Sequence, residues 1–122
     1  MGAESKRIGN QGENTAERYL VQKGFEILAR NFRSMQGEVD LVARDGEFLV
    51  FVEVKNYSFR SLGSPLGAIR KSKKDSIIHA AQTYLYKNGI KNTNCRFDVI
   101  AIYRKYSGQT VIDHIKDAFY AR

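Results

Sequence analysis

The sequence predicts an α/β domain in which helices flank a central mixed sheet, in the order α-β-β-β-α-β with a short C-terminal edge strand. Three features carry this. Segments with helical periodicity, 12–23 and 66–88, enclose a block of strand-like runs. Asp45-Gly46 joins two of those runs as a two-residue hairpin signal. The run 48–55 is apolar on both faces over most of its length, which marks a central strand covered from both sides. With 122 residues, 43% of them hydrophobic, the chain suits one domain, 1–122, with its own core.

The first helix, 12–23, ends at Gly24, a helix stop signal. Ala16, Leu20 and Val21 set its apolar face. A strand follows over 25–33, and strands 37–44 and 47–56 flank Asp45-Gly46. In the latter, Phe48, Val50, Val52 and Val54 point one way, and Leu49, Phe51, Glu53 and Lys55 the other. Residues 57–65 form a loop with Gly63 and Pro65. The second helix spans 66–88 and stops at Gly89, with Ile69, Ile77, Ala80, Ala81, Tyr84 and Leu85 on one face. A strand at 96–104, a turn at Ser107-Gly108 and an edge strand at 110–116 complete the domain.

Composition excludes several classes. Cys95 is the single cysteine, so neither an intrachain disulfide nor a cysteine metal cluster can form; we expect it to be a buried strand residue. Residues 1–14 are polar and lack the apolar region of a secretory signal. The longest apolar run, 48–52, is far too short for a bilayer. The expectation is a cytoplasmic protein without a membrane partner.

The formal charge is +7. Arg60, Arg70, Lys71, Lys73, Lys74, Lys87 and Lys91 fall in one stretch whose sole acid is Asp75. Such a concentration fits a polyanion partner or, equally, a solvated helix face.

The chemistry centres on Asp40 and the Glu53-Val54-Lys55 triplet. With Asp45-Gly46 as the turn residues, Asp40 lies opposite Phe51, diagonal to Glu53, and Glu38 lies opposite Glu53. Carboxylates gathered on one face repel one another, and a hard cation relieves them. Lys55 stands beside them to stabilise developing negative charge. Glu13 lies near the middle of the first helix's apolar face, as a dipole-stabilising acid or as one that assists the metal. Lys73 shares the inward face of the second helix, as a snorkelling residue or a phosphate contact. Arg70, Lys71 and Lys74 fall on outer faces, against nucleic acid backbone or water. His79 and His114 make no ligand spacing and read as structural or surface residues. Asp98 could cap, pair with Arg96 or support the site; a structural role is favoured.

Taken together, these segments resemble a known family. Gly12-Glu13 with Ala16, Arg30-Asn31, Gly37 to Val42, Phe51 to Lys55, Lys73 with Ala80-Ala81 and Tyr84-Leu85, Arg96 to Val99 and Ala118-Phe119 resemble the YraN-like uncharacterised protein family, within the PD-(D/E)XK nuclease superfamily. That family is similar to archaeal Holliday-junction resolvases, and its members are usually described as predicted endonucleases. The resemblance implies a restriction-endonuclease-like three-layer core. It implies Mg²⁺, with Mn²⁺ as a substitute, held by Asp40, Glu53 and the Val54 carbonyl. Lys55 would position water or stabilise the transition state, Glu13 would be the helix acid, and Lys73 the basic position of the next helix. Where the family often has arginine, this chain has Tyr57. Resolvase-like enzymes are often homodimers, so a dimer is one expected assembly.

The function expected is thus a Mg²⁺-dependent endonuclease acting on structured or branched DNA. Its nucleic-acid contacts would be Lys73, Arg70, Lys71, Lys74, Tyr57 and Arg60. The alternative is a non-catalytic nucleic-acid-binding module that keeps the nuclease-like fold. A protein-interaction adaptor is a third reading.

Overall fold

The computed structural model describes residues 2–57 and 69–120, with backbone alone for 2–10. Helix α1 (Gly2–Gln22) leads into strands β1 (Glu26–Ser34), β2 (Gly37–Asp45) and β3 (Phe48–Tyr57). Helix α2 (Lys71–Lys87) and strands β4 (Asn94–Arg104) and β5 (Thr110–Phe119) follow. One five-stranded sheet runs in the order β1-β2-β3-β4-β5. Its strands are antiparallel except for β3 and β4, whose parallel pairing requires the crossover that contains α2. The fold is therefore mixed α/β in three layers, with β3 at the centre, as the sequence predicts.

The alternation in β3 builds both cores. Val50, Val52 and Val54 pack with Ala16 and Leu20 of α1, Leu41, Ala43, Ile100 and Ile102. Leu49 and Phe51 pack with Ile77, Ala80, Ala81 and Tyr84 of α2, Phe97 and Val99. Each face of one strand thus anchors one helix.

Several boundaries differ from the sequence expectation. Helix α1 begins ten residues earlier, at Gly2, because its polar start carries no apolar stripe to announce it. Ala16 and Leu20 face the sheet, but Val21 is 54% exposed, so the buried stripe is narrower than predicted. Helix α2 begins at Lys71, with Ile69 and Arg70 outside it, rather than at 66. Strand β5 runs on to Phe119, whose ring stacks on Phe97 with centroids 5.0 Å apart. Cys95 is exposed, not buried, because it stands near the start of β4, outside both apolar clusters. The expected loop with Gly63 and Pro65 lies almost wholly outside the described residues. Among the described residues no helix is long and apolar enough to cross a membrane.

The hairpin register also differs. Asp45 pairs with Phe48, so the turn is Gly46-Glu47, with Gly46 at φ 58°. Asp45 stays in the strand because its carboxylate is ion-paired to Arg96 at 3.0 Å. Moving the turn by one residue shifts the pairing by two, so side chains keep their faces. Leu41 pairs with Val52, and the next residues along are Asp40 and Glu53.

Candidate functional site

The β2–β3 ladder ends where the two acids meet. Beyond Leu41 and Val52, Asp40 takes over with its side chain: Oδ2 accepts the Val54 backbone N–H at 2.7 Å. Strand β2 loses its alternation here. Val39 and Val42 both join the α2 side, while Leu41 and Ala43 join the α1 side. Across from Asp40 on β1, between the pairs Arg30–Leu41 and Phe32–Val39, stands Asn31 in a left-handed conformation, φ 51°. Asparagine tolerates that conformation better than most residues. Irregular backbone on one neighbour and a splayed ladder on the other leave the Asp40 carboxylate at a gap in the sheet.

Glu53 enters from β3 and is 3% exposed. Its Oε2 lies 3.5 Å from Lys55 Nζ and 3.4 Å from Lys73 Nζ. Lys73 reaches it because α2 lies over this face, and one glycine sets how closely. A Cβ on Gly37 would sit 1.9 Å from the Ser76 carbonyl oxygen. Only glycine lets β2 and the α2 backbone approach this far.

The two acids lie side by side, and the Asp40 carboxyl is pushed up to about 8. Burial is the largest cause, followed by the hydrogen bond and the charge of Glu53; the Val54 N–H and Lys73 pull the other way.

A third buried acid shows the contrast. Asp98 has no exposure, and burial pushes its carboxyl up, but hydrogen bonds from His114, Arg96 and the Asp117 N–H outweigh that and hold it below the usual value. Arg96 Nε and Nη2 donate to its two oxygens at 2.8 and 2.9 Å. His114 Nε2 lies 2.7 Å from Oδ2, and Tyr19 Oη 3.3 Å from Nδ1 of the same ring. A carboxylate only accepts, so Nε2 carries the proton. Asp98 is a satisfied acid, whereas Asp40 faces another carboxyl. That difference separates an acid serving the fold from a pair suited to binding.

The donor set fits a hard divalent cation. A buried carboxyl whose proton affinity is raised by a neighbouring acid would give up that proton to such an ion. Among the described residues no group of three or more His, Cys, Asp or Glu side chains could hold a metal. Two carboxylates and the Val54 carbonyl suit Mg²⁺, which keeps several waters and leans on substrate phosphates.

Other residues named from the sequence are placed as follows. Glu13 accepts a hydrogen bond from Asn31 Nδ2 at 2.9 Å and pairs with Arg30 at 3.6 Å. It thus borders the residue across from Asp40, and its polar partners belong to β1. Glu38 does not join the carboxylate cluster: the shifted register moves it along, and Arg33 pairs with it at 2.9 Å. Arg70 and Lys71 are exposed, and Lys71 is ion-paired with Asp75 at 2.8 Å. Lys74 lies over the Phe119 ring at 5.9 Å. Tyr57 ends β3, beside Tyr103 of β4. Arg60 lies outside the described residues. Sequence reasoning missed the role of Asn31, although an asparagine within a strand run is itself a signal for left-handed backbone. It also missed the tie from Tyr19 through His114 to Asp98, because only the fold brings those residues together.

Comparison with known proteins gives a consistent answer. The model of the uncharacterised protein family UPF0102 matches residues 12–102, the stretch that holds Glu13, Asp40, Glu53, Lys55 and Lys73. A UPF0102 protein of Chlorobium chlorochromatii is 45% identical, over 93% of this chain and 91% of its own. One from Geotalea uraniireducens is 43% identical, over 96% and 92% of the two chains. One from Hahella chejuensis is 46% identical, over 92% and 89%. The chain belongs to the family UPF0102, the YraN-like family.

Proposed function

We propose that this protein is a metal-dependent endonuclease that hydrolyses phosphodiester bonds in structured or branched DNA. The observation that carries the proposal is the buried Asp40–Glu53 carboxyl pair with two lysines against Glu53. A pair that raises its own proton affinity is a poor device for stability and a good one for capturing a cation. Asp40, Glu53 and the Val54 carbonyl would hold Mg²⁺ or Mn²⁺. Bound there, the ion would activate water and offset charge on the phosphate.

The chain's own residues supply the rest. The Val54 N–H fixes the Asp40 carboxylate. Lys55 leaves Glu53 for the charge developing on the phosphate, a contribution of about 10²–10³ in rate for a well-placed donor. Lys73 reaches the same point from α2, with Arg70, Lys71 and Lys74 as backbone contacts farther out. Glu13, held by Arg30 and Asn31, supports the site from α1. A cytoplasmic setting is part of the same reading.

The test uses end-labelled four-way junction, flap, linear duplex and RNA stem in Mg²⁺ or Mn²⁺, with wild type, Asp40→Asn and Glu53→Gln. Cleavage of a branched DNA by wild type alone supports the proposal. Equal cleavage by all three proteins assigns the activity to a contaminant. Binding with a slope near −0.9 in log K against log salt per phosphate, without cleavage, favours the non-catalytic binding module.

A further inference from the structure

We propose that the Tyr57 hydroxyl donates a hydrogen bond to a non-bridging oxygen of the substrate phosphate bound at Asp40 and Glu53. This rests on the nuclease reading and adds a substrate contact to it. Tyr57 closes the strand that supplies Glu53 and Lys55, and alternate residues of a strand share a face. Its Oη is shut off from solvent and has no hydrogen-bond partner among the described residues. A buried hydroxyl left unpaired is unfavourable, and native proteins rarely keep one without a use. Burial first, then the charge of Glu53, pushes the phenol above its usual value. It therefore keeps its proton and remains a donor.

The surroundings favour a phosphate oxygen as the partner. Lys55 and Lys73 both lean on Glu53 Oε2, at 3.5 and 3.4 Å. A phosphate drawn to those lysines reaches Tyr57 Oη only once the atoms that now cover the hydroxyl give way, so the contact forms as the phosphate binds. The Tyr103 ring braces it from the adjacent strand, with centroids 6.5 Å apart and planes tilted by 59°. Binding a phosphate oxygen would satisfy the one described side-chain atom that the fold buries without a partner.

Tyr57→Phe removes the oxygen and nothing else. Junction and flap DNA are cleaved in Mg²⁺ under single-turnover conditions, as the plain phosphodiester and as each phosphorothioate diastereomer at the scissile position. The expected result is an affinity or rate about 3- to 10-fold lower for the variant on the plain substrate. The loss shrinks on the diastereomer whose sulfur replaces the contacted oxygen, and the Tm is unchanged or higher. Wild-type cleavage with no change in Tyr57→Phe overturns the inference and leaves Oη to an internal water. An equal loss on every substrate together with a lower Tm also overturns it, in favour of a structural role. Wild type that neither binds nor cleaves any of these DNAs sinks the nuclease reading, and this contact with it.

Discussion

Asp40 holds the end of the β2–β3 ladder with its side chain: Oδ2 takes the Val54 N–H at 2.7 Å, where a backbone carbonyl would stand in a regular sheet. One carboxylate thus closes the sheet and forms half of the candidate metal site. Asp40→Ala and Asp40→Asn are expected to part these roles. Alanine leaves a buried N–H unpaired and costs about 1–3 kcal/mol. Asparagine keeps an acceptor oxygen and the fold but cannot give up a proton to become an anionic ligand. Both lose Mn²⁺ binding in titration calorimetry, but only alanine lowers the midpoint of urea unfolding.

The same pair is expected to make stability depend on pH and, on the nuclease reading, on divalent cation. The unfolded Asp40 carboxyl loses its proton near 3.8, whereas the folded one keeps it to about 8. Between those values the native state holds more protons than the unfolded one, so stability falls as pH rises. Metal-free protein is therefore expected to melt lower at pH 8.5 than at pH 5, with each kcal/mol moving the Tm by about 4 °C. Asp40→Asn flattens the decline. Mg²⁺ opposes it, and below pH 8 its binding releases a proton, measurable as a buffer-dependent heat.

Much of this site is legible in the sequence because strand periodicity is robust. A two-faced run at 48–55 fixes β3 at the centre, and its alternation puts Glu53 with Lys55 toward α2. Misplacing the turn by one residue does no harm to the faces, since pairing slips by two. Neighbours are less legible than faces. Glu38 is drawn off by Arg33 on an adjacent strand, and Glu13 by Arg30 and Asn31. Those partners depend on tertiary register and on a left-handed Asn31, which helix phase alone does not encode. Cys95 fails for a related reason: most of its strand is buried, but the residue stands near the exposed start of β4, outside both apolar clusters.

Two motif glycines are expected to respond differently to alanine. At Gly37 the new methyl would meet the Ser76 backbone oxygen, which moves only if α2 moves. Overpacking of this kind costs about 1–3 kcal/mol, and it should also draw Lys73 away from Glu53. At Gly12 the nearest atoms belong to the exposed Asn56 side chain, which can swing aside. Alanine there also gains about 0.8–1 kcal/mol of helix propensity, so the net effect is near zero. Chemical denaturation of Gly37→Ala and Gly12→Ala checks both; equal losses would mean that the α2 approach is not what Gly37 provides.

Asp98 supplies the control that separates a structural acid from the site. It lies on the α1 side of the sheet with Arg96, His114 and the Asp117 N–H gathered on it. Asp98→Ala leaves the His114 Nε2–H without its acceptor and Arg96 with Asp45 as its remaining carboxylate partner, and removing one partner of a buried ion pair costs about 3–5 kcal/mol. The pH sign is the reverse of that for Asp40. The folded carboxyl sits below its ordinary 3.8, so its stabilisation is present above that value and is lost as pH falls through the lower folded one. Acid unfolding of wild type below pH 4 should therefore be partly absent in Asp98→Asn, which starts from a lower plateau. Below its own Tm the variant keeps Mn²⁺ binding and, if the nuclease reading holds, full cleavage per folded molecule. Loss of Mn²⁺ binding in folded Asp98→Asn would show that the two buried acid clusters, on opposite faces of the sheet, are coupled through β3 and β4.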